Sequence, residues 1–275
     1  MLAFLKSIPR IIIKTKRVNY CFSKKLDFFT TLLKLHFKLQ FNKSQNEVTS
    51  NLFGYKFTTY GYKSMLFQFE EVFMSREYFF KADNNNPSII DCGANIGFLA
   101  IYFNYLFPNC TVIAFEPNPE SYYLLRKNIE QNNLTNVKVY NYALSNENGT
   151  IEFFIGNQKG SLHASIFNNR GGERSVSIET KKLSEFIGDK TFDLLKMDIE
   201  GAEDNVIDDL TNSKKINQIE QYIIEYHHKI QGSVSKMSLF LKPFEEAKFE
   251  YNILASFGKL GSFQDIILKF YKKAR

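Results

Sequence analysis

The sequence of 275 residues contains 44% hydrophobic side chains with 14 Gly and 6 Pro, which excludes a fibrous or disordered chain and suits one large domain with an appendage. Its three cysteines form no CxxC pair, which argues against a disulfide framework or a zinc site and indicates a cytoplasmic protein. The net charge of +6 lies in residues 1–43, which hold ten of the 35 Lys and Arg but one of the 29 acids. The remaining chain is slightly acidic, so we expect no nucleic-acid partner.

Residues 1–43 combine this positive charge with apolar residues. They contain no apolar stretch near the ~20 residues that a membrane span requires. The spacing of Phe, Leu and Lys predicts an amphipathic helix over 26–39. We expect it to pack on the domain or on a partner subunit, with peripheral membrane contact and a targeting segment as the alternatives. The sequence therefore predicts a basic amphipathic N-terminal extension, 1–43, followed by a domain, 44–275. It does not indicate an oligomeric state.

Strands and helices alternate after a polar segment, 44–52, and an aromatic-rich segment, 53–81, in which we expect short strands. The pattern predicts, in chain order, a strand at 88–91, a helix at 98–106, a strand at 111–115, a helix that Asn118 caps with Pro119 in its first position, and a strand at 137–142. This alternation predicts parallel β-α-β units.

The second half of the chain continues the sheet. A turn at 146–149 predicts a hairpin with a strand at 150–155, and the aperiodic segment 156–174, which includes His163, is interpreted as a substrate-facing loop. The later elements are strands at 192–197 and 221–225, a helix at 235–249 broken at Pro243, and strands at 251–255 and 265–270. The sequence therefore predicts an α/β fold with a doubly wound, Rossmann-like sheet that is mostly parallel and ends in an antiparallel C-terminal hairpin.

Polar residues follow the strands of this sheet at their carboxyl ends. In open α/β sheets, ligands bind beyond those ends, near the point where the strand order reverses. The candidates for a binding site are Asp91, Glu116, Asn141, Asp198, Glu200, Glu225 and His227.

The loop after the first strand, 91–97, contains two glycines that permit a tight turn and a close backbone approach to a ligand. It is not the GxGxxG motif of dinucleotide sites, and Asp91 lies just ahead of its first glycine, Gly93. An acid suits a cationic ligand without phosphate better than it suits a pyrophosphate. S-adenosylmethionine, with its ammonium and sulfonium groups, is such a ligand.

Two further side chains complete this interpretation. Glu116 ends the next strand, 19 residues after Gly97, where a carboxylate accepts hydrogen bonds from both ribose hydroxyls. NAD and S-adenosylmethionine share the ribose, so Glu116 does not separate them. Asn141 either presents its amide to the adenine edge or caps its own loop.

Five segments together resemble FkbM-type methyltransferases over roughly residues 65–230. They are Asp91-Cys92-Gly93-Ala94-Asn95-Ile96-Gly97, Ala114-Phe115-Glu116-Pro117-Asn118-Pro119, Tyr142-Ala143-Leu144-Ser145, Leu195-Lys196-Met197-Asp198-Ile199-Glu200-Gly201-Ala202-Glu203 and Glu225-Tyr226-His227. The resemblance implies a class I methyltransferase fold and methyl transfer from S-adenosylmethionine, generally to an oxygen. It also implies roles for individual residues: Asp91, Gly93, Asn95 and Gly97 around the methionine part of the cofactor, Glu116 at the ribose, and Lys196, Asp198, Glu200, Glu203, Glu225 and His227 on the acceptor side.

Transfer to a hydroxyl requires a base, because the hydroxyl loses its proton during the reaction. His227 is the first candidate, since an unperturbed imidazole titrates near ~6.5, and Asp198 is the second, directly or by orienting His227. Lys196 lies in an apolar strand and needs an acidic partner, and Glu203 would stabilise a helix N-terminus. We assign no metal, although Asp198, Glu200, Glu225 and His227 could instead hold a divalent cation.

The leading hypothesis is therefore a cytoplasmic S-adenosylmethionine-dependent O-methyltransferase acting on a small hydroxylated molecule, with a sugar, glycan or glycolipid as the preferred acceptor. Catalytic roles are predicted for His227, Asp198, Lys196 and Glu200. One alternative is an NAD(P)-dependent oxidoreductase, and another is a non-catalytic module that binds a membrane or a partner through residues 1–43.

Overall fold

A seven-stranded sheet forms the centre of the computed structural model, which describes residues 2–17, 22–75, 77–156, 164–165, 174–230, 236–255 and 262–272. Its strands are β3 (Ser88–Cys92), β4 (Thr111–Phe115), β5 (Val137–Tyr140), β10 (Leu194–Met197), β11 (Gln221–His228), β12 (Phe249–Ala255) and β13 (Gln264–Lys272). Their order is β12-β13-β11-β10-β3-β4-β5, and β13 alone runs antiparallel to both of its neighbours. The predicted fold class is confirmed, including the antiparallel C-terminal hairpin.

Helices cover both faces of this sheet. They are α4 (Phe98–Leu106), α5 (Pro119–Glu130), α6 (Ser184–Ile187), α7 (Glu203–Asn212) and α8 (Met237–Glu246). Successive strand residues point to opposite faces, so Ile89 packs in the cluster that contains α4 and α5 while Ile90 packs in the cluster of α7 and α8. Because these strands are buried on both sides, β3 and β10 consist mainly of apolar residues, and Asp91 and Lys196 are the buried charged exceptions.

Helix α5 begins as predicted: the N–H of Glu120 donates to the Asn118 side chain, with Pro119 in the first helical position. The predicted break at Pro243 is wrong, because α8 continues through this residue. Phe240 and Phe244, on either side of the proline, are both buried, and this packing holds the helix together across it.

A second sheet corrects the predicted hairpin. It contains β6 (Ala143–Ser145), β7 (Gly149–Ile155), β8 (Ala164–Ser165) and β9 (Arg174–Lys182) in the order β6-β9-β7-β8. The turn at 146–149 joins β6 to β7, but β9 lies between them and pairs with both. Most of the segment interpreted as a substrate-facing loop, with His163, lies outside the described residues.

The N-terminal part of the chain contains α1 (Leu2–Arg17), α2 (Phe22–Phe41), β1 (Glu47–Leu52), β2 (Tyr55–Tyr60), α3 (Gly61–Phe69) and a π-helical turn, Glu70–Met74. A short strand expected within 53–81 is present as β2, and the chain after Tyr60 continues as a helix and a π-helical turn. Met65, Phe69 and Phe73 are buried at helical spacing, and this periodicity decides the structure.

Helices α1 and α2 pack on the domain. Ile11, Phe28 and Leu32 are buried in the same cluster as α3 and α4, and the Phe28 ring lies 5.1 Å from the ring of Phe53 in an edge-to-face contact. The extension was expected to pack on the domain or on a partner subunit, and the structure shows it packed on the domain. None of the helices within the described ranges is both long and apolar enough to span a bilayer.

Candidate active site

The turn after β3 leaves no room for a side chain. A Cβ at Gly93 would lie 1.8 Å from the carbonyl oxygen of Asp198, and at Gly97 it would lie 2.7 Å from Leu125 Cδ1. Both glycines also have positive φ angles, +78° and +86°. The ends of β3 and β10 therefore meet at Gly93, while Gly97 lets α4 begin against α5.

Glu116 lies at the end of β4 and is 6% exposed. The N–H groups of Asn95 and Asn118 donate to its two carboxylate oxygens, each at 2.8 Å. Burial raises the pKa of Glu116 to about 7, although these two hydrogen bonds oppose the shift. Local backbone geometry thus fixes the carboxylate that was predicted to bind ribose.

Asn141 donates from its amide nitrogen to the carbonyl oxygens of Glu116 and Pro117, at 2.7 and 2.9 Å. It therefore ties down the turn that follows β4, as expected for a loop cap. Because the amide nitrogen is already engaged, only the side-chain oxygen of Asn141 could contact adenine.

A cleft opens at the carboxyl ends of β3, β4 and β10, where ligands bind in open α/β sheets, and encloses about 460 Å³ when the space open to solvent is counted. Its lining residues are Gly93, Asn95, Glu116, Pro117, Ser121, Phe153, Asp198, Ile199 and Glu200. Five of the predicted site residues thus meet in one cleft. Asn95 and Glu200 also have positive φ angles, +49° and +55°, and such backbone strain is common at functional sites.

Asp91 and Lys196 form a buried pair behind this cleft. Lys196 Nζ lies 3.4 Å from Asp91 Oδ1 and donates to the carbonyl oxygen of Gly93 at 2.8 Å. Burial alone would lower the pKa of Lys196, but the carboxylate of Asp91 and other nearby acids outweigh it, so the pKa is raised. The predicted acidic partner of Lys196 is therefore Asp91, and neither side chain is among those that line the cleft.

His227 is surrounded by carboxylates. Its Nδ1 lies 2.7 Å from Glu203 Oε1, and its Nε2 lies 3.3 Å from Glu200 Oε2, 3.7 Å from Asp198 Oδ1 and 3.8 Å from Asp265 Oδ1. Burial would lower the pKa of His227, but the acids, chiefly Glu203, raise it to about 10. The expectation of an ordinary imidazole pKa is wrong, and a protonated His227 cannot accept the hydroxyl proton.

Residues 91–253, more than half of the chain, match the family model of the methyltransferase FkbM domain. The chain belongs to the FkbM methyltransferase family. This confirms the resemblance seen in the loop after β3 and in the run from Lys196 to Glu203, and it leaves the oxidoreductase alternative without support.

The chain is also similar to individual proteins. Methyltransferase sdnD of Sordaria araneosa is 30% identical over 173 residues, with 51% of this chain and 67% of the relative covered. The 2-O-methyltransferase NoeI of Sinorhizobium fredii is 29% identical over 139 residues, with 44% of this chain and 56% of that protein covered. The crystal structure of methyltransferase FkbM from Methylobacillus flagellatus has a TM-score of 0.49 at 15% identity and covers 98% of this chain and 60% of that one. The chain thus spans between 56% and 67% of the length of these relatives.

Several residues of this FkbM site were missed or undervalued in the sequence. Glu203, expected on the acceptor side only through the family resemblance and otherwise to stabilise a helix, is 1% exposed, and its Oε1 lies 2.7 Å from His227 Nδ1. Asp265 arrives from β13, where it pairs in register with His227, and no local motif marks it. Glu71, in the π-helical turn, lies near Asp198: burial and then the Asp198 carboxylate raise the pKa of Glu71 to about 7.

Proposed function

We propose that this FkbM-family protein is an S-adenosylmethionine-dependent O-methyltransferase that acts on a hydroxyl of a small molecule, with a sugar or glycan as the acceptor. The observation that supports it best is the cleft itself, with the Glu116 carboxylate on one side and an acidic group around His227 on the other. Anionic walls favour a cationic cofactor over a phosphate-bearing one.

The residues of the first half of the cleft fit this cofactor. Gly93 lines the cleft, and the buried Oδ1 of Asn95 has no hydrogen-bond partner within the described part of the chain. Each carboxylate oxygen of Glu116 receives one backbone N–H, and a carboxylate offers about four acceptor sites, so ribose hydroxyls can still bind there. We assign Gly93, Asn95 and Glu116 to direct cofactor contact, with Gly97 and Asn141 shaping the turns beside it.

Asp91 is assigned a supporting role. It is fully buried and pairs with Lys196, whose ammonium bonds the Gly93 carbonyl, so the pair holds the turn from behind. We therefore propose Asp91 and Lys196 as positioning residues rather than as groups that touch cofactor or acceptor.

When bound, the cofactor supplies a methyl group on sulfonium for in-line transfer to the acceptor oxygen. The chain must orient the acceptor hydroxyl and receive its proton. Asp198 and Glu200 line the cleft and can bind the acceptor. His227 donates to Glu203 from Nδ1 and has three carboxylates around Nε2, so it positions this group. Glu225, whose carboxylate lies within 4.8 Å of a His227 ring nitrogen, is the proposed proton acceptor.

The chemistry of the acceptor rests on two observations. The relative named a 2-O-methyltransferase supports oxygen as the methylated atom. The carboxylates that line the cleft can accept hydrogen bonds from neighbouring hydroxyl groups, and a sugar carries several such hydroxyls.

Residues 1–43 remain, in this proposal, an extension packed on a cytoplasmic catalytic domain, 44–275. Its outer face carries exposed apolar residues, among them Ile13, Phe37 and Phe41, next to its cationic side chains. This face suits peripheral contact with a membrane surface or a protein partner.

Calorimetric titration of S-adenosylmethionine and S-adenosylhomocysteine tests the proposal. Wild type and Glu130→Ala, a control at an exposed acid on α5, should bind both, whereas Glu116→Ala should lose most of the affinity. Isotope-labelled cofactor would then be offered with sugar acceptors to detect the methylated product. Absence of cofactor binding by wild type would contradict the proposed function.

A further inference from the structure

We propose that Asp198, Glu200 and His227 form a binding site for one divalent metal ion of the Mg²⁺/Mn²⁺ class, with Mn²⁺ as the best match. One ligand atom from each of these residues lies within 4.8 Å of the others. The ligands of an octahedral ion with bonds of about 2.1 Å lie about 3 Å apart, so small side-chain rotations would close the site.

The ring of His227 is prepared for this role. The side chain is 1% exposed, and its Nε2 points to Glu200 and Asp198 at 3.3 and 3.7 Å. Its Nδ1 is engaged with Glu203, which also accepts from the N–H of Gly201 at 3.0 Å. Metal-binding histidines characteristically donate from their other nitrogen to a carboxylate. An ion bound at Nε2 would replace the proton that this nitrogen carries in the ion-free chain.

The charges around His227 favour a cation as well. Five carboxylates face it or lie beside it: Asp198, Glu200, Glu203, Glu225 and Asp265. The ammonium of Lys196 is directed to Asp91 and the Gly93 carbonyl. A bound divalent ion would offset the repulsion among these acids.

The mixed donor set selects the metal. Carboxylates suit Mg²⁺ and Mn²⁺, whereas imidazole favours transition metals, and Mn²⁺ accepts both. A second trio, Glu225, His227 and Asp265, also includes this imidazole, and Asp265 Oδ1 lies 3.8 Å from the same Nε2. We assign the ion to the first trio because Asp198 and Glu200 also line the cleft.

The catalytic part of this inference rests on the proposed function. An ion at this position would bind the acceptor oxygen and favour loss of its proton to Glu225. The new C–O bond forms as the methyl–sulfur bond breaks, so S-adenosylhomocysteine leaves and no further reactant is required.

Mn²⁺ binding is measured directly on the full chain after chelation, from the loss of the EPR signal of free Mn²⁺. Wild type is expected to bind one ion per chain. Glu200→Gln and Asp198→Asn should each weaken binding at least tenfold, and Glu203→Gln by on the order of 10–100-fold. Asp208→Asn, at an exposed acid on the same helix as Glu203, is the matched control and should bind as wild type does.

Three results would overturn the metal site: no stoichiometric binding by wild type, unchanged binding in Glu200→Gln and Asp198→Asn, or loss confined to Asp265→Asn, which would move the ion to the second trio. Thermal unfolding of each variant shows that it is folded. Titration of S-adenosylmethionine into the same metal-free samples separates the two proposals. Cofactor binding without Mn²⁺ binding refutes the metal site alone, and the reverse refutes the proposed function.

Discussion

The two halves of the cleft are built by different physical means. On the cofactor side, backbone N–H groups hold Glu116 and a glycine fills the narrow contact between β3 and β10. On the acceptor side, carboxylates from β13 and from the segments that follow β10 crowd around the single imidazole of His227. The first half is determined by shape and short-range hydrogen bonds, and the second by opposed charges. Fixed backbone geometry on the cofactor side suits a cofactor that a whole family shares. On the acceptor side, a change in the number or position of charged residues would change which ion or acceptor binds.

The largest loss of stability is expected for a substitution on the cofactor side of the cleft. In Gly93→Ala, the new Cβ would clash with the carbonyl oxygen of Asp198, and alanine would have to adopt a left-handed φ angle. We therefore expect the free energy of unfolding to fall by at least ~3 kcal/mol, or the variant not to fold. Gly54→Ala is the matched control, because φ is +86° and no atom lies within 4 Å of the new Cβ. It should cost about 1–2 kcal/mol in urea unfolding. Equal losses in the two variants would contradict the close approach.

Glu203→Gln tests the charge-determined half. Glu203 raises the pKa of His227 to about 10, so its contribution to stability is complete below the unfolded pKa of ~6.5 and disappears as the pH rises through about 10. We expect a loss of about 2 kcal/mol at pH 6 that shrinks as the pH rises from about 6.5 and is absent above about 10. Urea unfolding at several pH values measures it, and Asp208→Asn should stay within about 0.5 kcal/mol of wild type. A loss independent of pH would mean that Glu203 acts by packing alone.

The pH dependence of cofactor affinity separates the halves further. Burial raises the pKa of Glu116 to about 7, and a protonated carboxyl is the poorer acceptor for ribose hydroxyls. The affinity for S-adenosylmethionine should fall up to about tenfold per unit below pH 7 and level off above it. Glu116→Gln should bind weakly with little pH dependence. Constant wild-type affinity in calorimetric titrations from pH 5.5 to 8 would refute the ribose contact.

The smallest effect is expected for Asn141→Ala. This change removes two side-chain hydrogen bonds to the turn after β4, and each is worth about 1 kcal/mol or less because Asn141 is only partly buried. Stability should fall by about 1 kcal/mol, while the affinity for S-adenosylmethionine changes little. Affinity that falls more than tenfold in a variant of nearly unchanged stability would favour the adenine contact instead.

Much of the sheet was predictable, because parallel strands buried on both faces leave short apolar runs and helices leave a different period. Helix α4 and strand β4 have the predicted bounds, and β12 and β13 extend past theirs by one or two residues. The hairpin after β6 was not predictable. Its turn is local, but the partner strand β9 is separated from β7 by a segment whose sequence shows no periodicity.

By itself, the sequence determined the glycine turn after β3, the acid at the end of β4 and the family of the protein. Each of these depends on residues adjacent in the chain, where backbone conformation limits the choice of side chain. Only the tertiary structure decided that Lys196 pairs with Asp91, and that His227 is held by Glu203 among carboxylates that include Asp265. These contacts join different strands and the helix after β10, and a pKa follows from the sum of all charges near a group and not from its neighbours in sequence.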